Sequence, residues 1–152
     1  MDDWTVEQAA QELLSVLPLL NRIVAIAVRR EAGDETTIPQ FRVLAHLAAG
    51  PLTMSELARR RHVTFQSMSE LAQVLVERGW IVRTPDPHDR RQQLLALTDH
   101  GRRHYERAQS LMIVRLLPLL AELSPAEMQA VQIALPALHR VLARDKDETT
   151  VT

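Results

Sequence analysis

The stretch VTFQSMSELAQVLVERGWIVRTPDPHDRRQQLLALTDHG, Val63–Gly101, decides how the rest of the chain is read. Thr64 is an N-cap residue, and Gly79 supplies the stop expected after a helical run. Between them Met68, Leu71, Ala72 and Leu75 share one helix face, which turns Gln66, Ser67, Ser69, Glu70 and Gln73 outward. The segments "WIVRT" and "QQLLALT" are short, apolar and bounded by turn residues, and "PDPHD" between them can continue neither. They therefore form a hairpin with Arg90 and Arg91 at its tip and Arg83 on its first strand. Thr98 then opens another helix.

Just upstream, "TMSELARRR" carries Thr53 and Glu56 in capping-box register, and only His62 and Val63 separate it from the helix after Thr64. Two short helices joined by so tight a turn form a helix-turn-helix, the unit that lays its second helix in the major groove of DNA. Uncharged hydrogen-bonding side chains on the outward face suit base edges, where donors and acceptors must match a pattern. Arginines at a hairpin tip suit phosphates, or a narrow minor groove of negative potential. Asp89 beside them would repel phosphate if free, so it is expected to pair with a neighbouring arginine. The charge distribution agrees: residues 54–103 hold nine basic against six acidic side chains, whereas residues 1–37 hold three against seven.

The segment resembles the winged-helix region of the multiple-antibiotic-resistance regulator (MarR) family. The resemblance rests on Glu77, Arg78 and Gly79 at the helix end, Arg83, Asp89, Arg90 and Arg91 in the wing, and Leu97, Thr98 and Gly101 at its close. It implies a homodimeric transcription regulator with interlocking terminal helices, whose two lobes meet successive major grooves of a pseudo-palindromic DNA operator. It also implies a repressor released by a small-molecule inducer, aromatic or phenolic in many relatives. Two positions depart from the pattern. Glu70 and Gln73 stand where the family often has an arginine and an aspartate, and Phe65 is unusual near the helix start, where it could meet a thymine methyl or the preceding helix. The residues expected at DNA are Ser55, Thr64, Phe65, Gln66, Ser67, Ser69, Glu70, Gln73, Arg83, Asp89, Arg90 and Arg91.

The expected fold class is mainly α with a small β-wing, a winged helix-turn-helix core plus N- and C-terminal dimerisation helices. In the single domain 1–152, residues 38–101 are the DNA-binding lobe, 4–37 and 102–145 the dimerisation helices, and 146–152 a disordered tail. Leu13, Leu17, Leu20, Val24 and Ala27 mark one face of the first helix, after a capping box of Thr5 and Gln8. The loop "EAGDETT" and the helix "PQFRVLAHLAAG" follow. A long helix from about Asp99 to Leu120 carries Leu111, Val114, Leu117 and Leu120. Ser124 and Pro125 open the last, with Val131, Leu135, Leu138 and Leu142. Pro18, Pro118 and Pro136 are each expected to bend or interrupt a helix. The apolar stripes near both termini exceed what a small winged helix can cover. A crevice for the inducer would be lined by Val24, Val28, Phe41, Leu44, Leu111 and Arg115, residues that could equally be plain core.

The 152 residues include no cysteine, which excludes disulfides, thiolate zinc sites and cysteine nucleophiles. No basic n-region precedes an apolar core at the N-terminus, and no uninterrupted apolar run approaches membrane-spanning length, so a cytoplasmic protein with no membrane partner is expected. The serines lack an elbow motif, and four glycines form no phosphate loop. Neither enzyme activity nor a cofactor is expected. His100 and His104 lie one turn apart and could offer two metal ligands, but a closed site needs about four, and both read as surface histidines with no metal. A metal-responsive regulator and a helical dimeric interaction module without DNA readout are the alternatives; salt-sensitive retention on DNA separates the second.

Overall fold

The computed structural model describes residues 4–32 and 36–148. Six helices and three strands follow in the order α1 (Val6–Ala32), α2 (Ile38–Ala48), β1 (Leu52–Thr53), α3 (Met54–Arg60), α4 (Phe65–Glu77), β2 (Ile81–Pro85), β3 (Gln93–Leu97), α5 (Asp99–Leu120) and α6 (Pro125–Glu148). This is the mainly helical fold with a small β-wing that the sequence implies. Two compact units make up the chain, residues 1–115 and 116–152.

In the first unit, helix starts are set by side-chain caps. Thr37 and Gln40 form a reciprocal capping box at α2, as do Thr53 and Glu56 at α3, and the Thr64 hydroxyl accepts the Ser67 N–H at α4. The carboxylate of Glu56 is held below the usual range by the Thr53 backbone N–H, then by the Thr53 hydroxyl, with Arg60 and Arg59 adding to it.

Helices α3 and α4 end alike. After α3 the N–H groups of His62 and Val63 reach back to the carbonyls of Arg59 and Ala58; after α4 those of Gly79 and Trp80 reach Val76 and Leu75. Both ends need a left-handed residue, Gly79 at φ 69° and His62 at φ 51°. The tight turn of the helix-turn-helix thus holds a non-glycine residue in a region that costs L-residues roughly 1–2 kcal/mol.

The sheet has three strands where the sequence suggests a two-stranded hairpin. β3 is central, antiparallel to β2 on one side and to β1 on the other, with Leu52 opposite Leu95 and Ile81 opposite Leu97. β1 is two residues long, too short for an alternating pattern to show. Leu52, Ile81 and Leu95 close the core from the sheet side onto Val43, Leu44, Leu47, Leu57, Met68, Ala72 and Leu75. A smaller cluster joins Phe41 and Ala108 to Val24, Tyr105 and Met112.

Thr98 and Gly101 lock α5 to the end of α4. The Thr98 hydroxyl donates to the Gly79 carbonyl at 2.6 Å and accepts the Gly101 N–H at 3.0 Å, while the Thr98 N–H donates to the Trp80 carbonyl. A Cβ on Gly101 would overlap the Trp80 carbonyl oxygen. These contacts join Gly79 and Trp80 at the end of α4 to Thr98 and Gly101 at the start of α5.

None of the three helical prolines interrupts its helix: α1, α5 and α6 run through Pro18, Pro118 and Pro136. The carbonyls each ring frees belong to Leu14, Val114 and Gln132, all exposed residues that water can reach. Within α1, Val6–Ala27 is 22 residues with a hydropathy of 1.4, long and apolar enough by length and composition to cross a membrane, although charged residues divide its apolar runs. Its last turns are tied to the lobe, with Ala27 buried and Asn21 accepting a hydrogen bond from Arg42 at 3.1 Å.

In the second unit Ser124 and Glu127 form a capping box at the start of α6. That helix continues to Glu148, past the point where the sequence suggests a tail; residues 149–152 of the expected tail, and 33–35 of the first loop, lie outside the described residues.

Candidate nucleic-acid interface

Helix α4 turns Met68, Ala72 and Leu75 into the core, and this fixes what faces outward. Phe65, Gln66, Ser67, Glu70 and Gln73 are exposed, and Ser69 is half-buried. Several of these side chains are already engaged. Ser67 accepts the Thr64 hydroxyl at 2.9 Å, Gln66 donates to Glu70 at 3.4 Å, and Gln73 donates to Glu77 at 3.0 Å. No arginine of α3 neutralises Glu70 in the hydrogen bonds of the described residues, although charge pairing across the turn is one reading of its sequence.

The wing is tied to this helix. Along β2, Ile81 and Arg83 share the face turned toward α4, since alternate strand residues point the same way. The Arg83 guanidinium donates to Gln73 Oε1 at 3.2 Å, and its Nε is buried without a hydrogen-bond partner. Gln73 thereby links Glu77 on its own helix to Arg83 on the wing.

At the tip, Asp89 does not pair with an arginine side chain as expected. Its carboxylate accepts the Arg91 backbone N–H at 3.0 Å and the Gln92 side-chain amide at 3.2 Å. The reason is geometric: a tight turn points its own N–H groups at a carboxylate two residues back. Asp89 shapes the tip, and the exposed guanidinium groups of Arg90 and Arg91 have no hydrogen-bond partner among the described residues. Gln92, which the sequence does not single out, completes this turn; its only signal was polarity next to the arginines.

A recess of about 620 Å³ lies between the start of α3, the start of α4 and the wing, and Ser55, Phe65, Ser69, Arg83, Arg91 and Gln92 are among its lining. Five of these six were expected at DNA. The recess thus brings three separated stretches of sequence to one surface that offers hydroxyls, an aromatic ring and two arginines.

The sequence profile of the MarR family matches residues 35–92. Over 91% of its length the chain has the fold of RV1404 from Mycobacterium tuberculosis, with a TM-score of 0.81 and 28% identity across 95% of that structure. In sequence and in fold the chain is similar to the MarR family of regulators. It is 29% identical to the HTH-type transcriptional regulator YfiV of Bacillus subtilis over 115 residues, 75% of this chain and 72% of that one. It is 35% identical to the multiple antibiotic resistance protein MarR of Salmonella typhimurium over 68 residues, 44% of this chain and about half (47%) of that protein. With these relatives, the winged helix makes the chain a DNA-binding transcription regulator.

The two histidines considered as metal ligands are separated by burial. His104 is buried, its ring stacked on Trp80 at 4.0 Å and its Nε2 3.1 Å from Thr36 Oγ1, while His100 is exposed. His104 is therefore a core residue rather than a surface one. Arg78 lies 5.0 Å from the Trp80 ring and donates to Gln40, so the junction of α4 and β2 is held by stacked rings and a cation.

Of the residues named for an inducer crevice, Leu44 is fully buried in the main core and Phe41 stacks on Tyr105 at 5.4 Å beside Val24. Leu111 borders a shallow recess on α5 with Arg103, Glu106 and Ser110, and Arg115 is half-buried. The Val28 side chain lies outside the described residues.

Proposed function

We propose that the chain acts as a homodimeric repressor, each 38–101 lobe laying α4 in a major groove of a pseudo-palindromic operator while Arg90 and Arg91 of the wing hold the flanking phosphates. The observation that carries this reading is the pair of unengaged arginines at the tip of a wing that Arg83 and Gln73 fasten to the recognition helix. Ser55, Thr64, Phe65, Gln66, Ser67, Ser69, Glu70, Gln73, Arg83 and Asp89 supply the remaining contacts or hold them in place. Glu70 discriminates against wrong sites, because an exposed carboxylate near phosphates costs affinity unless a cytosine N4 amine meets it.

Dimerisation by residues 4–37 and 102–145 is supported by apolar side chains left in water: Leu14, Leu17 and Leu20 on α1, Val114, Leu117 and Leu120 on α5, Leu135 and Leu142 on α6. The protein works in the cytoplasm, without catalysis, beside the DNA it reads. Release follows binding of a small aromatic or phenolic acid near Val24, Phe41, Leu111 and Arg115, where the Phe41–Tyr105 stack offers an aromatic surface; the ligand favours a lobe spacing that no longer fits the operator.

Selection of bound fragments from random duplex tests the reading. The expected product is a dyad whose half-site centres lie about 10 base pairs, or a multiple, apart, bound by two chains and loosened by millimolar phenolic acid. Selected DNA without a dyad, bound by one chain, would overturn the dimeric operator, and indifference to the acids would remove the inducer.

A further inference from the structure

The polar side chains on the outward face of α4 are largely spoken for: Gln66 by Glu70, Gln73 by Glu77 and Arg83, Ser67 by the Thr64 cap. Phe65 is different. Its ring is 58% exposed, whereas Phe41 and Trp80 are buried. It occupies the first position of α4, where the Thr64 cap fixes the backbone, and it borders the recess that Arg91 lines from the wing. In helix-turn-helix docking the first residues of the recognition helix are those that meet base edges. A phenyl ring there can offer no hydrogen bond, and the one apolar group on a major-groove edge is the 5-methyl of thymine.

We propose that Phe65 is a specificity-determining residue that packs on a thymine 5-methyl group in each half-site, sensing the methyl itself rather than the hydrogen-bonding edge of the base. This rests on the DNA-binding reading above. Deoxyuridine, which pairs as thymine does but lacks the methyl, should be read as a wrong base at that position. 5-Methylcytosine should be read as partly right.

The test uses the full chain and the operator it selects, with each thymine replaced in turn, symmetrically, by deoxyuridine, and with Phe65→Ala and Phe65→Leu beside the wild type. One position per half-site should weaken wild-type binding about fourfold per methyl removed, the worth of one buried methyl-sized group. Phe65→Ala should be indifferent to that replacement, and Phe65→Leu should keep part of the preference. Because the ring is exposed, both variants should melt with the wild type. A deoxyuridine penalty of the same size in wild type and Phe65→Ala, or no methyl-sensitive thymine at all, would overturn the proposal while leaving DNA binding intact. Failure of the wild type to bind any duplex in a salt-dependent way would instead remove the reading on which it rests.

Discussion

The winged-helix lobe and the terminal helices both carry leucine at helical spacing, and put it to opposite ends. In the lobe Leu44, Leu47, Leu57, Leu75 and Leu95 are all at most 1% exposed, and the capping side chains and the Thr98 lock leave its helix ends satisfied. On α1, α5 and α6, Leu14, Leu17, Leu20, Leu117, Leu120, Leu135 and Leu142 stand 40% to 64% exposed. A helix stripe therefore does not by itself say what will cover it. The difference lies in the neighbours: a lobe of three short helices and a sheet surrounds its own residues, whereas a long helix carries its stripe beyond what the local fold can reach.

That contrast can be broken most severely at Gly101. Its close approach to the Trp80 backbone leaves no room for a methyl group, and backbone cannot yield as a flexible side chain can. Gly101→Ala is expected to cost about 3 kcal/mol or more, the upper end of overpacking, in urea-induced unfolding. A loss under about 1 kcal/mol would show that the α4–α5 junction is looser than described.

A matched pair of leucines sharpens it. Leu57→Ala, at a fully buried site, should cost about 2–5 kcal/mol. Leu117→Ala, at a site 59% exposed, should leave the unfolding of the lobe within about 0.5 kcal/mol of wild type. It should instead shift the dimer–monomer balance in sedimentation. Equal effects of the two on unfolding, with no change in assembly, would erase the distinction.

A smaller effect concerns the cap of α3. Glu56 has a depressed carboxylate pKa in the folded protein because Thr53 donates to its ionised form, so its contribution is fully present at neutral pH, above the carboxylate range of the unfolded chain, and is lost as pH falls through the folded value. Glu56→Gln, which keeps a capping-box acceptor as Gln40 does at α2, should cost about 0.3–1 kcal/mol at pH 7, the worth of a carboxylate near a helix N-terminus, and give a shallower loss of stability on acidification. A variant whose stability follows the same acid profile as wild type would show that the carboxylate is not the group responsible.

How legible these features were in sequence follows their range. Caps at Thr53, Thr64, Thr98 and Ser124, and the inward face of α4, involve residues three or four apart, and local spacing reveals them. β1 was hidden because its partner Leu95 lies 43 positions away from Leu52 and two residues carry no pattern. His62 was hidden because its left-handed conformation, usual for glycine, has no marker in a histidine. Likewise, nothing local tells that His104 will stack on Trp80, or that Arg83 will reach Gln73 across ten positions. At the tip of the wing the sequence suggests an arginine partner for Asp89; the arginines are presented, but the Arg91 backbone N–H and the Gln92 side-chain amide hold the carboxylate.

The most direct measurement on the central claim is the salt dependence of operator binding by the Arg90→Ala/Arg91→Ala double variant against wild type. If the two free guanidinium groups hold phosphates, the slope of log affinity against log salt should fall by about 0.9 for each phosphate left without its arginine in each lobe, with melting unchanged. An unaltered slope in a fully folded double variant would contradict the assignment of the wing to DNA.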